Sequence, residues 1–395
     1  MRTFAPSMFN PNDVNIDLLS ARAHNLRWAT LPKDVIPLTA ADPDFPMAPP
    51  IKEALFKYID GGYLSYGPAE GLESFREAVA KDYERKNQVT YASELILPVD
   101  SAAFGIYLTC KAILQPKDEV IVFDPVDFLF KYSVEQVGAK AITFPTPQTK
   151  GLMDFSGLEA LITPKTKLIC LCNPLNPTGK VFTKSELSAL AEIVAKYQDL
   201  MVLSDEIWSD IVFNPNKFNA FSSIDTVFER TITVTGYSKS YGLAGLRIGS
   251  VLMPNKNIYD KIFAMSLHQS TVHGANVLGQ IAAQAALNEA QPWLDGFVRH
   301  LQEMRDFAVT RLNAMPGVHC QAPQGCYVLF PEISETGFSA SELQNQLMTK
   351  AKVAVVPGLP KWFGSGAEGH IRLSFATSRG ILDEALGRIH KFLES

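Results

Sequence analysis

The chain has 395 residues, and at about 150 residues per domain a chain of this length suggests two domains or three. Apolar residues make up 47% and charged residues 19%, ordinary globular usage that excludes disordered, collagen-like and coiled-coil classes. A net charge of −5 without a Lys/Arg cluster argues against nucleic-acid and membrane-surface partners.

In chain order, Met1 to Pro6 lead into Asp13 and Asp17 with no apolar core, so no signal peptide is expected. The stretch 1–45 is Pro-rich and irregular, and is expected to pack against the C-terminal part. From about residue 100 to 255, short β-branched runs alternate with helical patterns. Strands are predicted over 119–123, 141–144, 167–172, 200–204, 231–235 and 247–253. They are apolar on both faces, as in a sheet covered on each side. Between the third and fourth, Thr183 and Glu186 form a capping box ahead of the stripe Leu187, Leu190, Ala191, Val194 and Ala195. Strand–helix alternation predicts an α/β fold with a mainly parallel, doubly covered sheet.

The stretch 262–288 carries no Lys, Arg, Asp or Glu, but His268, Gln269, His273, Asn276 and Gln280 spoil it as a membrane span; a buried helix is expected. A long helix is predicted over 291–315, stopped by Pro316-Gly317, and a smaller α+β region follows. The expected division is a segment 1–45, a large domain 46–288 and a small domain 289–395. Five cysteines (Cys110, Cys170, Cys172, Cys320, Cys326), an odd number without framework spacing, read as reduced thiols of a cytoplasmic protein.

Some motifs fail their context. Gly364-Ser365-Gly366-Ala367-Glu368-Gly369 fits G-x-G-x-x-G, yet leads into the strand-like Ile371-Arg372-Leu373-Ser374-Phe375 where a dinucleotide loop needs a helix. Thr178-Gly179-Lys180 lacks the first glycine and final hydroxyl of a P-loop. Cys170 and Cys172 have no ligand partners near them in sequence and read as small core residues; no metal is expected. No G-x-S-x-G elbow supports a hydrolase.

Four segments belong together. Thr235-Gly236-Tyr237-Ser238-Lys239-Ser240-Tyr241-Gly242-Leu243-Ala244-Gly245-Leu246-Arg247 places a lysine directly after a strand, with an arginine eight positions on. Ser204-Asp205-Glu206-Ile207-Trp208 and Asn173-Pro174-Leu175-Asn176-Pro177-Thr178-Gly179 each follow a strand, and His370-Ile371-Arg372-Leu373-Ser374 sits near the C-terminus. Each alone has a plain reading as a surface lysine, a loop carboxylate, a Pro/Gly turn and an exposed arginine. In this order they resemble the signature segments of class I/II aminotransferases, fold-type I enzymes of pyridoxal 5′-phosphate (PLP).

The resemblance implies a large PLP-binding domain with a mainly parallel sheet and a smaller α+β domain. It implies that Lys239 forms the Schiff base with PLP, Asp205 pairs with the pyridinium nitrogen and Asn176 bonds the phenolic oxygen. Arg247, Ser238, Ser101 and Ala102 would hold the phosphate, the last two at a helix N-terminus. Arg372, with Ala41 and Asn176, would take the substrate carboxylate, an arginine suiting bidentate geometry. Asp42-Pro43-Asp44-Phe45 and Pro323-Gln324-Gly325-Cys326-Tyr327 resemble further family segments. Tyr66, in Tyr66-Gly67-Pro68-Ala69-Glu70-Gly71, would reach the phosphate of a neighbouring subunit, so a homodimer is expected.

The chain departs from the pattern in places. Trp208 stands where a Tyr is usual, Gly236 replaces a Ser, and Pro125-Val126-Asp127-Phe128 offers Asp127 where an aromatic stacks on the cofactor ring, unless Phe128 slips into that role. The expected activity is amino transfer between an amino acid and a 2-oxo acid. The rival is a carbon–sulfur β-lyase of the MalY-like cystathionine β-lyase kind, which 38–45 and 205–212 resemble; Arg247 favours transamination. A regulator built on this fold would carry an added DNA-binding domain, which the acidic charge disfavours.

Overall fold

The computed structural model describes residues 9, 14–146 and 152–395, so the start of the opening segment, residues 1–8 and 10–13, lies outside the described residues. Its centre is a seven-stranded sheet in the order Ile96–Val99, Gly249–Leu252, Thr231–Gly236, Met201–Asp205, Thr166–Cys172, Glu119–Asp124, Lys140–Pro145. Gly249–Leu252 runs antiparallel to both neighbours, and the other strands are mutually parallel. β-Branched and aliphatic residues favour these strands, and alternation sends neighbours to opposite faces. Ile96 joins one apolar cluster, whereas Leu97 and Val99 join another. That second cluster is the sheet with the helices Ala102–Ile113, Lys184–Ala195 and Lys256–Ser266. The capping box of Thr183 and Glu186 starts Lys184–Ala195 as predicted.

The first cluster joins the opposite face of the sheet to the helix Gln291–Asn313 and the C-terminal region. There Val356–Pro357, Ile371–Ser374 and Val328–Leu329 form a small antiparallel sheet, and Ile36–Pro37 pairs in parallel with Val353–Ala354.

Three expectations change at their edges. The apolar stretch 262–288 is two elements: Lys256–Ser266 ends at Leu267 in the left-handed conformation, and Val277–Glu289 starts afresh behind Asn276, whose side chain caps it. His268, in the break, is buried with its ring Nδ1 3.1 Å from the Ala69 carbonyl; His268, Gln269, His273 and Asn276 thus mark a turn, and Gln280 lies buried in the second helix. The strand expected from 247 begins at Gly249, because Arg247 has φ +49° and closes a turn. The long helix stops at Asn313, whose amide bonds both the N–H and carbonyl of Cys320 at 2.8 and 2.9 Å. Among the described residues no helix is long and apolar enough to cross a membrane.

Candidate active site

In an open α/β sheet, ligands gather outside the carboxyl ends of parallel strands. Five such ends meet here. Behind Ile96–Val99, Ser101 caps Ala102–Ile113, its hydroxyl accepting from the Phe104 N–H at 3.0 Å. The remaining free N–H groups of that first turn, with the helix dipole, suit an anion. A Cβ on Gly249 would lie 2.6 Å from the Ala102 nitrogen, so glycine is what lets this helix end approach the sheet. Ser238 and the exposed Arg247 line the same cavity as Ser101 and Ala102.

Lys239, three residues beyond Thr231–Gly236, donates from Nζ to the Ala41 carbonyl at 2.6 Å and stands 5.5 Å from the centre of the Trp208 ring. Tyr327 donates to the same carbonyl at 3.2 Å and meets Trp208 edge-on at 4.7 Å. Burial pulls the Lys239 pKa below its ordinary value and the Arg372 charge adds to this, while Asp42 and Asp127 oppose it. The result is an amine more readily deprotonated, as attack on a carbonyl requires.

Asp205 ends Met201–Asp205, and its donors are neutral: the Ile207 N–H at 3.1 Å and the Cys172 thiol at 3.9 Å. Burial pushes its pKa up to about 7, with Asp127 adding to the rise and the Ile207 hydrogen bond resisting it. Beside it, buried Glu206 accepts from Tyr83 Oη at 2.8 Å and Ser204 Oγ at 2.9 Å. Burial pushes Glu206 up to about 8.

Arg372 comes from the small sheet. Its guanidinium donates to Asn176 Oδ1 at 3.2 Å and to the Thr39 carbonyl at 3.3 Å, and lies 5.0 Å from the Phe363 ring centre. Its Nε is buried without a partner among the described residues. Asn176 turns its Nδ2 to Asp127 Oδ2 at 2.9 Å, and Asp127 Oδ1 accepts from the Leu129 N–H at 3.2 Å. Burial raises the Asp127 pKa, and Arg372 opposes that rise. Phe128 is 37% exposed and packs edge-on against Trp362 at 5.5 Å. The carboxylate, not the phenyl ring, therefore stands against Asn176.

One cavity of about 870 Å³ is lined by Ser101, Ala102, Ser238, Arg247, Lys239, Asp205, Trp208, Ala41, Asn176, Asp127, Phe128 and Arg372. Tyr66 is not brought there: it is 85% exposed, its ring tilted 5.1 Å from His273. Sequence reasoning missed Thr39, Gly249, Trp362 and Phe363. Gly249 alone left a signal, as a glycine inside the strand expected over 247–253.

The sequence profile of the family "Aminotransferase class I and II" matches residues 33–389. The chain belongs to the class I and II aminotransferases. It is 32% identical to aspartate aminotransferase of Pyrococcus abyssi, over 91% of this chain and 92% of that one. The aromatic aminotransferase of Pyrococcus horikoshii superposes with a TM-score of 0.85 at 30% identity, over 91% of this chain and 96% of that one. Cystalysin from Treponema denticola, solved with pyridoxal 5′-phosphate, superposes with a TM-score of 0.88 at 25% identity, over 95% and 97% of the two chains. The aminotransferase cofactor is PLP, and the donor set fits it. A helix end with hydroxyls and an arginine suits its phosphate, and a buried carboxylate with only neutral donors suits a pyridinium N–H. A buried amine lines the same cavity.

Proposed function

We propose that Lys239, Asp205, Asn176, Arg247 and Arg372 carry this aminotransferase's amino transfer between an amino acid and a 2-oxo acid. The observation that supports it most is the buried Lys239 amine in the same cavity as Asp205 and Arg372. When bound, PLP supplies the aldehyde that takes up the amino group and the ring that stabilises negative charge at Cα. Lys239 would be the amine that holds that aldehyde and would serve as the base that moves the proton at substrate Cα. Asp205 keeps a proton at the ring nitrogen. Ser101, Ala102, Ser238 and Arg247 hold the phosphate, and Asn176 orients the ring. Arg372 grips the substrate carboxylate with help from Asn176 and the Ala41 segment, its direction set by Thr39. Leu26, Leu31, Met348 and Trp362 on the outer wall favour a donor with a large apolar or aromatic side chain.

The finer organisation follows the same reading: a large domain 46–288 and a small domain 289–395, with segment 1–45 packing with the small domain, a reading that the pairing of Ile36–Pro37 with Val353–Ala354 supports. The exposed face carrying Phe56, Tyr63, Leu64 and Tyr66 supports a homodimer in which Tyr66 serves the partner's phosphate site. Five buried free cysteines support a reducing, cytoplasmic setting.

The test is a panel of amino donors with a 2-oxo acid acceptor. Amino transfer by the wild type, lost in Lys239→Ala together with borohydride labelling of this lysine, is the expected result. Pyruvate and ammonia released without an acceptor would restore the β-lyase reading.

A further inference from the structure

The run Gly364–Gly369, which fails as a nucleotide loop, closes on a carboxylate of the chain itself. Asp124 ends the strand Glu119–Asp124 and is 7% exposed. Its Oδ1 accepts from the Gly366 N–H at 3.0 Å and its Oδ2 from the Ser365 hydroxyl at 2.8 Å. Gly364 has φ +89°, and a Cβ there would stand 2.2 Å from Asp124 Oδ1. Glycine is therefore required at 364 by both conformation and space.

Two backbone bonds extend the clasp. The Val126 N–H reaches the Phe363 carbonyl and the Phe128 N–H the Trp362 carbonyl, both at 2.9 Å. These two bonds tie the short helix Pro360–Phe363 to the loop that carries Asp127 and Phe128, and the two bonds of Asp124 anchor the turn directly behind that helix to the strand end. That helix supplies Trp362 and Phe363 to the cavity wall, and the Phe363 ring lies against the Arg372 guanidinium. A buried carboxylate costs free energy unless its donors are well placed. This one is spent on a joint between the sheet and the wall that carries Trp362 and Phe363.

We propose that Asp124 is a positioning residue for the substrate: through Ser365 and Gly366 it sets the aromatic wall of Trp362 and Phe363, and with it the seat of Arg372, without acting on cofactor binding. The proposal rests on reading this cavity as the transaminating site.

The experiment compares PLP-loaded wild type, Asp124→Asn, Asp124→Ala and Gly364→Ala. Four quantities are read: KM and kcat with an amino donor, affinity for an unreactive α-methyl amino acid, PLP affinity, and hydrogen exchange over 359–367. Asp124→Ala should raise KM and weaken the α-methyl compound by about tenfold, the scale of one or two lost hydrogen bonds. It should hold kcat within about twofold, leave PLP affinity unchanged and speed exchange over 359–367. Gly364→Ala should reproduce this pattern, and Asp124→Asn, which keeps one acceptor oxygen, should fall between. Faster exchange with KM and α-methyl binding unchanged would overturn the proposal. So would parallel losses in substrate affinity, PLP affinity and melting temperature, which mark a purely structural residue. If the wild type transaminates nothing, the functional reading fails, and the clasp is judged on α-methyl amino acid binding and exchange alone.

Discussion

Asp127 is the residue at which this aminotransferase departs furthest from its family's pattern. It accepts from Asn176 and Leu129 and faces the charge of Arg372, so on the proposed register an acid stands where the family resemblance implies a stacking ring. Asp127→Ala should shift preference toward anionic donors by about tenfold through removal of a like charge. Phe128→Ala, which removes a ring packed on Trp362, should leave PLP affinity nearly unchanged. A large loss of PLP affinity in Phe128→Ala with Asp127→Ala silent would reverse the two assignments. Asp205→Asn should keep the cofactor yet lower kcat on the order of 100-fold or more, since a neutral partner holds the ring proton poorly; near-normal turnover in that variant would remove Asp205 from the reaction. These residues were legible in the sequence because each chemical demand selects one residue type next to one strand end. Thr39 was not, because it acts through its backbone carbonyl, and any residue offers one.

Among elements, the strands were legible because burial on both faces leaves continuous apolar runs. Their ends were less so, since the expected limit 204 and the observed limit Asp205 differ by the residue that reaches the cavity. The same strand end places Asp205 and Glu206 side by side, both raised by burial, to about 7 and about 8. The fold thus favours their neutral forms. Their contribution to the stability of the cofactor-free protein is whole below the ordinary carboxylate range and is lost as pH rises through 7 and 8. Between pH 6 and 9 the melting temperature of cofactor-free wild type should therefore fall more than that of Glu206→Gln. Parallel melting curves would refute the burial argument for Glu206, whose partners Tyr83 and Ser204 are both neutral donors.

At the scale of the molecule, two apolar clusters share the sheet between them. The doubly covered sheet was foreseeable from its alternation of strands and helices. The pairing of Ile36–Pro37 with Val353–Ala354 was not, because two-residue strands leave no periodic signal. The exposed apolar face around Tyr63, Leu64 and Tyr66 predicts a homodimer in sedimentation at assay concentration. Tyr66→Phe should then weaken PLP binding by about tenfold or less, the scale of one hydrogen bond to a charged phosphate. A fully active monomer would contradict both.

The bond from Arg372 to the Thr39 carbonyl spans 333 residues of chain. During synthesis at 5–20 residues per second, Arg372 follows Arg247 out of the ribosome by roughly 6–25 s. The groups proposed for the cofactor are therefore made well before the arginine proposed for the substrate carboxylate, and that grip is the last part of the cavity the nascent chain acquires.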